Sequence, residues 1–104
     1  MKRLHDLLED VRAKEIIGGN PTIAALEYDS RRVERDGCFF AVAGTASDGH
    51  NYIGAAIERG AVAIVCQHLP AEINEAVTYI VVEDTNVAMA AMAAAFYDHP
   101  TKEL

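Results

Sequence analysis

Four polar residues, placed together after a predicted strand, are the first candidates for chemistry in this chain. They are Asp29, Ser30, Arg31 and Arg32. A serine hydroxyl in such a position can donate a hydrogen bond to a phosphate oxygen, and an arginine can add charge-assisted bonds. Asp and Ser also bond readily to nearby backbone, in which case they cap a turn and the arginines are solvated. These residues alone leave both interpretations open.

A run of small residues at positions 44–49, GTASDG, is the second candidate. It joins a predicted strand to a predicted helix. Small side chains let the backbone approach a ligand, and a helix N-terminus favours an anion. The run is neither GxGxxG nor GxxxxGK[ST], and the second pattern occurs nowhere in the chain, so an ATP phosphate loop of that type is absent. By spacing alone, a structural turn explains the run equally well.

The scaffold around these loops is predicted by apolar runs that alternate with helical patterns. Continuous apolar runs are typical of strands that are covered on both faces of a sheet. The alternation predicts an α/β fold, a three-layer α/β/α domain with a mostly parallel or mixed sheet of about four or five strands. A tight turn is expected at Asp36-Gly37. The predicted strands cover residues 22–28, 38–43, 61–66 and 78–82.

Three helices are predicted. Apolar residues at i, i+3, i+4 and i+7 near the N-terminus indicate an amphipathic helix over residues 4–11. We expect Asp48 or Asn51 to cap the second helix and Gly60 to follow its end. Asp84, or one of the two residues after it, is expected to cap the third. In that helix the sheet-facing side is expected to be formed by Val87, Ala91, Ala94 and Ala95.

Composition excludes several classes of function. The chain has 104 residues, 51% of them hydrophobic, which suits one globular domain. Its net charge of −7 would repel nucleic-acid phosphates, so we expect no nucleic-acid partner. No apolar run approaches the roughly 18 residues of a membrane span. The N-terminal pattern is interrupted by acidic residues and does not resemble a secretory signal, so we expect a cytoplasmic protein without a membrane partner.

Metal binding and catalysis find no support in the motifs. Cys38 and Cys66 lie in predicted buried strands without CxxC spacing, which predicts buried free thiols. The four histidines are scattered without a carboxylate partner on a shared helix face, so no metal site is expected. There is no GxSxG motif and no defensible Ser/His/Asp set. The residues therefore indicate a small-ligand-binding domain.

Residues 29–65 read DSRRVERDGCFFAVAGTASDGHNYIGAAIERGAVAIV. Their motifs resemble, in order and spacing, those of the N-terminal domain of the Mur ligase family, with a DSR, then G-x-x-F-x-A-x-x-G, then DGH-x-[YF]-I. Residues 81–100 resemble the end of that domain in the branch that adds the third amino acid of the peptidoglycan peptide. One departure is Asp36-Gly37, which stands where relatives usually have Gly-Asp.

The resemblance implies a set of residues that bind the UDP part of a nucleotide substrate. Ser30 matches the serine of DSR that contacts this part, and Tyr28 stands where the family lines the uridine site. Thr45, Ala46 and Ser47 match the loop that closes around the nucleotide. Arg31 and Arg32 remain candidate phosphate neighbours. No catalytic or metal-binding residue is implied within this chain.

The resemblance also implies a function for the whole protein. Residues 1–104 would be the UDP-binding domain of an ATP- and Mg²⁺-dependent amide ligase. That ligase would add meso-diaminopimelate or L-lysine to UDP-N-acetylmuramoyl-L-alanyl-D-glutamate, with its central ATPase and C-terminal domains in cis but absent here. No cofactor and no ligase turnover are expected of this chain alone. Two alternatives stay open: the same domain of the ligase that adds D-alanyl-D-alanine, or a non-catalytic interaction domain of this fold.

Overall fold

The computed structural model describes residues 2–42 and 49–97. Within these ranges the chain forms seven strands and three α-helices, with short 3-10 turns at Ser30–Arg32 and Gly49–Tyr52. In chain order the elements are β1 (Lys2–Arg3), α1 (Leu4–Leu7), β2 (Ala13–Ile17), β3 (Thr22–Ile23), β4 (Ala25–Glu27), β5 (Gly37–Phe40), α2 (Ile53–Glu58), β6 (Ala61–Cys66), β7 (Thr78–Val82) and α3 (Thr85–Tyr97).

Five strands form one mixed sheet in the order β2-β7-β6-β5-β4. The three pairings among β4, β5, β6 and β7 are parallel, and β2 pairs with β7 antiparallel at one edge. β1 and β3 form a separate antiparallel pair. The predicted α/β class with a mixed sheet of about five strands is confirmed.

The side chains of β5 divide between the two faces of the sheet. Cys38 and Phe40 pack on one face with residues of α1 and α3, whereas Phe39 and the next-but-one residue Ala41, just after the strand, pack on the other with residues of α2. Successive residues of a strand point to opposite faces, so a continuous apolar strand can serve two cores. The helices therefore cover both faces of the sheet and complete the predicted three layers.

Strands β6 and β7 occupy the predicted residues without any shift. The turn before β5 also forms as predicted, since Asp36 adopts a positive φ of 64° and its N–H donates to the Gly60 carbonyl at 2.9 Å. Gly60 itself, with φ of 117°, follows the end of α2 as expected. These contacts fix the start of β5 beside the start of β6.

The N-terminal region differs from the prediction. α1 ends at Leu7 after a single turn, although Leu8 and Val11 still pack against the core. The chain then forms β2, an edge strand that the sequence did not reveal. Most of its residues are exposed, so it lacks the apolar run of a buried strand.

The predicted strand over residues 22–28 is also wrong as a single element. It divides at Ala24, whose N–H donates to the Asp36 carbonyl at 2.8 Å. The residues before this point pair with β1, and those after it pair with β5. A local pattern cannot reveal this change of partner, because the acceptor lies 12 residues further along the chain.

Two details of the helices require correction. α2 begins after Tyr52 without a side-chain cap, so Asn51 does not cap it, and Asp48 lies outside the described residues. Asp84 does cap α3, since its carboxylate accepts hydrogen bonds from the main-chain N–H groups of Asn86 and Val87, at 2.9 and 3.3 Å. Val87 does not face the sheet as expected but is 66% exposed, because Ala88 and Met92 form the buried side of α3.

Candidate nucleotide-binding cleft

A cleft of about 630 Å³ lies beside the carboxyl ends of the parallel strands β4 and β5. Ligands of open α/β sheets bind at this end of the strands. The volume falls within the roughly 300–1,000 Å³ that small-molecule sites occupy. We call it the strand-end cleft, and it is lined by Tyr28, Asp29, Ser30, Arg31, Phe39, Val42, Gly49, Tyr52 and Ala55.

Ser30 opens the 3-10 turn that follows β4, and its side chain is half-buried at the cleft. Among the described residues, no hydrogen bond joins its hydroxyl to another group. The turn is capped by its neighbour instead, since the Asp29 carboxylate accepts the Arg31 N–H at 2.9 Å. Asp29 therefore acts as the purely structural interpretation predicts, while the Ser30 hydroxyl stays available to a ligand.

Arg31 is bound to the same carboxylate by its side chain. Its Nε lies 3.1 Å from Oδ1 of Asp29 and its Nη2 lies 3.0 Å from Oδ2, a two-point ion pair at the protein surface. Side-chain and backbone hydrogen bonds from Arg31 lower the pKa of Asp29, and the Asp29 hydrogen bond raises the pKa of Arg31. The positive charge of Arg31 is thus offset locally, whereas for exposed Arg32 no ion pair is found within the described residues.

The two described residues on either side of positions 43–48, Val42 and Gly49, lie at the same cleft. The Val42 carbonyl accepts the Gly49 N–H at 2.8 Å, and both residues line the cleft. A Cβ on Gly49 would lie 2.6 Å from the Val42 nitrogen, so only glycine fits there without displacing the backbone. Thr45, Ala46 and Ser47 lie outside the described residues, and their predicted contacts with a ligand stay a prediction.

Two exposed tyrosines stand at the cleft. Tyr28 is 68% exposed and Tyr52 is 43% exposed, whereas Phe39 is buried and contributes the apolar floor. Exposed aromatic rings offer faces for stacking a planar base. The sequence prediction named Tyr28 and did not name Tyr52, although Tyr52 fills the [YF] position of the DGH-x-[YF]-I motif.

Neither a cluster of metal ligands nor a membrane-spanning helix is found in the part of the chain that is described. Residues 2–42 and 49–97 contain no group of three or more His, Cys, Asp or Glu side chains that could hold a metal ion. None of the helices in those ranges combines the length and the apolar composition that a membrane span needs. Cys38 and Cys66 are free and buried, and burial raises the pKa of Cys38 to about 12 and that of Cys66 to about 11.

Comparison with known proteins extends these observations. The family model described as "Mur ligase family, catalytic domain" matches residues 22–97. UDP-N-acetylmuramoyl-L-alanyl-D-glutamate–2,6-diaminopimelate ligase of Bacteroides fragilis is 43% identical over 98% of this chain, which covers 21% of that protein. The enzyme of the same name from Geobacillus thermodenitrificans is 51% identical over 84% of this chain and 17% of its own length. The chain therefore spans about a fifth of these curated relatives.

Solved structures support the fold. MurF of Acinetobacter baumannii superimposes with a TM-score of 0.73 over 97% of this chain and 22% of its own, at 20% identity. MurF of Thermotoga maritima in complex with ADP gives a TM-score of 0.59 over 66% of this chain and 16% of its own, at 28% identity. The first likeness concerns the fold alone.

Proposed function

Because this chain belongs to the Mur ligase family, we propose that its strand-end cleft binds the uridine diphosphate part of UDP-N-acetylmuramoyl dipeptide. The observation that carries the proposal is the half-buried Ser30 hydroxyl, which faces a cleft of suitable volume without a partner among the described residues. A buried or half-buried hydroxyl with open space beside it is well placed to donate to a phosphate oxygen.

The candidate binding residues have separate roles in this proposal. Ser30 donates to the diphosphate, and Tyr28 and Tyr52 contact the uridine ring. Thr45, Ala46 and Ser47 close over the nucleotide, as the family resemblance implies. Arg31 lines the strand-end cleft but already bonds to Asp29 through two nitrogens. Arg32 does not line this cleft but shares a neighbouring pocket with Tyr28, so both arginines stay candidates for a phosphate contact.

We further propose that residues 1–104 form the UDP-binding domain of a cytoplasmic ligase that adds the third amino acid to the dipeptide substrate. The names of the relatives at 40–51% identity favour diaminopimelate over L-lysine. ATP and Mg²⁺ would be held by central and C-terminal domains in cis, as the family resemblance implies. The chain alone is then expected to bind the nucleotide without ligase turnover.

The ligase that adds D-alanyl-D-alanine is the second candidate, and the superposition on MurF agrees with it in fold. Solved structures of that ligase are 20–28% identical to this chain, against 43% for the diaminopimelate ligase of Bacteroides fragilis. The difference favours the first candidate.

The proposal can be tested by titrating the chain with UDP while recording amide NMR spectra. We expect shifts at Ser30, Gly49 and Tyr52, and an affinity at least about tenfold weaker in Ser30→Ala, because one hydrogen bond to a charged group is lost. Thr22→Ala, which changes an exposed hydroxyl residue of β3, is the matched control and should bind as the parent does. No shift at the cleft with millimolar UDP would overturn the proposal and favour a non-catalytic interaction domain.

A further inference from the structure

His50 lies next to the strand-end cleft but does not line it. Its Nε2 accepts the main-chain N–H of Gln67 at 2.9 Å, just beyond the end of β6. An accepting Nε2 carries a lone pair, which places the proton of the neutral ring on Nδ1. The bond is partly buried and joins residues 17 positions apart, so it ties the 3-10 turn Gly49–Tyr52 to the central part of the sheet.

Two further contacts hold this connection in place. The ring of His68 stacks on that of His50, with centroids 4.1 Å apart and planes inclined by 14°. The Gln67 side chain donates from Nε2 to the Glu83 carbonyl at 2.9 Å, which links the end of β6 to the segment after β7. His50 is therefore attached to a fixed point at the carboxyl ends of the central strands.

The residues on either side of His50 line the cleft. Gly49 is held against Val42 by its 2.8 Å hydrogen bond and by the lack of space for a Cβ. Tyr52 presents its ring to the cleft two residues later. The Gly49 contact fixes one point of this turn just beyond the end of β5, and the His50 contact fixes a second point just beyond the end of β6. Two contacts restrict the orientation of a short turn more than one contact does.

We propose that His50 is a positioning residue for nucleotide binding. By accepting the Gln67 N–H it sets the orientation of the Gly49–Tyr52 turn, and thus the place of Gly49 and Tyr52 at the cleft. Without the bond, the turn samples other orientations, and the ligand must select the competent one, which lowers the apparent affinity. The inference rests on the proposed binding of UDP at the strand-end cleft.

The reach of the acceptor provides a sharp test. In His50→Gln, the side-chain oxygen lies four bonds from Cα, as Nε2 does in histidine, so it can accept the same N–H. In His50→Asn the oxygen lies one bond closer and cannot reach, although the polarity is similar. We expect His50→Asn to bind UDP about fivefold more weakly, as for one lost hydrogen bond, and His50→Gln to stay within about twofold of the parent. His5→Gln, at an exposed position of α1, is the matched control and should bind unchanged.

Amide exchange of the parent chain gives a second measurement that needs no variant. If UDP selects the bonded arrangement, saturation with UDP slows exchange of the Gln67 amide. If His50→Asn and the parent bind UDP with equal affinity, the inference is overturned while UDP binding stands. If His50→Asn fails to fold, the parent chain decides: a Gln67 exchange rate that UDP leaves unchanged also overturns the inference. A parent chain that does not bind UDP would overturn both this inference and the proposed function.

Discussion

The central strands and the strand-end cleft are stabilised in different ways. In β6 and β7 nearly every side chain is buried, and each strand serves both cores. At the cleft, Tyr28 and Tyr52 are exposed, and the polar groups of Asp29 and Arg31 bond to each other within three residues of chain. The first region is held by packing between distant segments, whereas the second is shaped by local hydrogen bonds.

This difference separates stability from binding. Burial of apolar side chains supplies most of the free energy of folding, so the central strands tolerate little change. The exposed cleft residues bury little surface, so their replacement should leave the fold intact while it alters the cleft. Variants of the two regions can therefore test the comparison directly.

The largest difference is expected in the reactivity of thiols. Burial raises the pKa values of Cys38 and Cys66 to about 12 and about 11, which suppresses the thiolate, and also blocks access by a reagent. At pH 8 we expect the native chain to react with a disulfide reagent at least about 100-fold more slowly than the urea-unfolded chain. Ser30→Cys should add one thiol that reacts rapidly in the native state. Native Cys38 and Cys66 that react as fast as this new thiol would contradict the comparison.

The next largest effect is expected for aromatic truncation. Phe40→Ala removes a fully buried side chain from the core and should lower the free energy of unfolding by about 3–5 kcal/mol. Tyr28→Ala, at a residue 68% exposed, should change it by no more than about 0.5 kcal/mol. Urea denaturation followed by circular dichroism measures both. Similar losses in the two variants would show that the cleft contributes to stability as the core does.

Replacement of either of two glycines near the cleft by alanine should change the free energy of unfolding, with opposite signs at the two positions. Gly49→Ala places a Cβ 2.6 Å from the Val42 nitrogen and 2.8 Å from its oxygen, so the backbone must move, at a cost of about 1–3 kcal/mol. Gly54→Ala, in α2 with no atom within 4 Å of the new Cβ, should stabilise by about 0.5–1 kcal/mol. Thermal unfolding of both variants checks the signs. A stable Gly49→Ala would mean that the contact with Val42 does not constrain the turn.

The smallest effect is expected from the protonation of Asp29 at low pH. Because hydrogen bonds from Arg31 lower the pKa of Asp29 below its usual 3.8, the pair contributes to the folded state above that pH, and its contribution disappears as the pH falls through the lower value. Carboxyl carbon NMR should show a titration midpoint below 3.8 for Asp29 and a shift back toward that value in Arg31→Gln. The pair is exposed, so little change in overall stability is expected. A midpoint at or above 3.8 would contradict the observed pairing.

The predictability of the fold follows the same division. β6 and β7 matched the sequence prediction because a continuous apolar run is a local signal that burial on both faces requires. β2 was missed because an exposed edge strand needs no apolar run. Residues 22–28 were assigned to one strand because the switch from pairing with β1 to pairing with β5 depends on a hydrogen bond to the distant Asp36. Val87 was placed on the wrong side of α3, because an alanine-rich helix has apolar residues on every side and its periodicity does not select one.

By itself, the sequence determined the α/β class, the buried thiols, the turn at Asp36 and the motifs that connect the chain to its family. These depend on patterns within a few residues of one another. Only the tertiary structure decided that Tyr52 and Tyr28 line one cleft, that Asp29 forms an ion pair with Arg31, and that His50 accepts a hydrogen bond from Gln67. The physical reason is that such contacts depend on the order of strands in the sheet, which brings together segments that the sequence keeps apart.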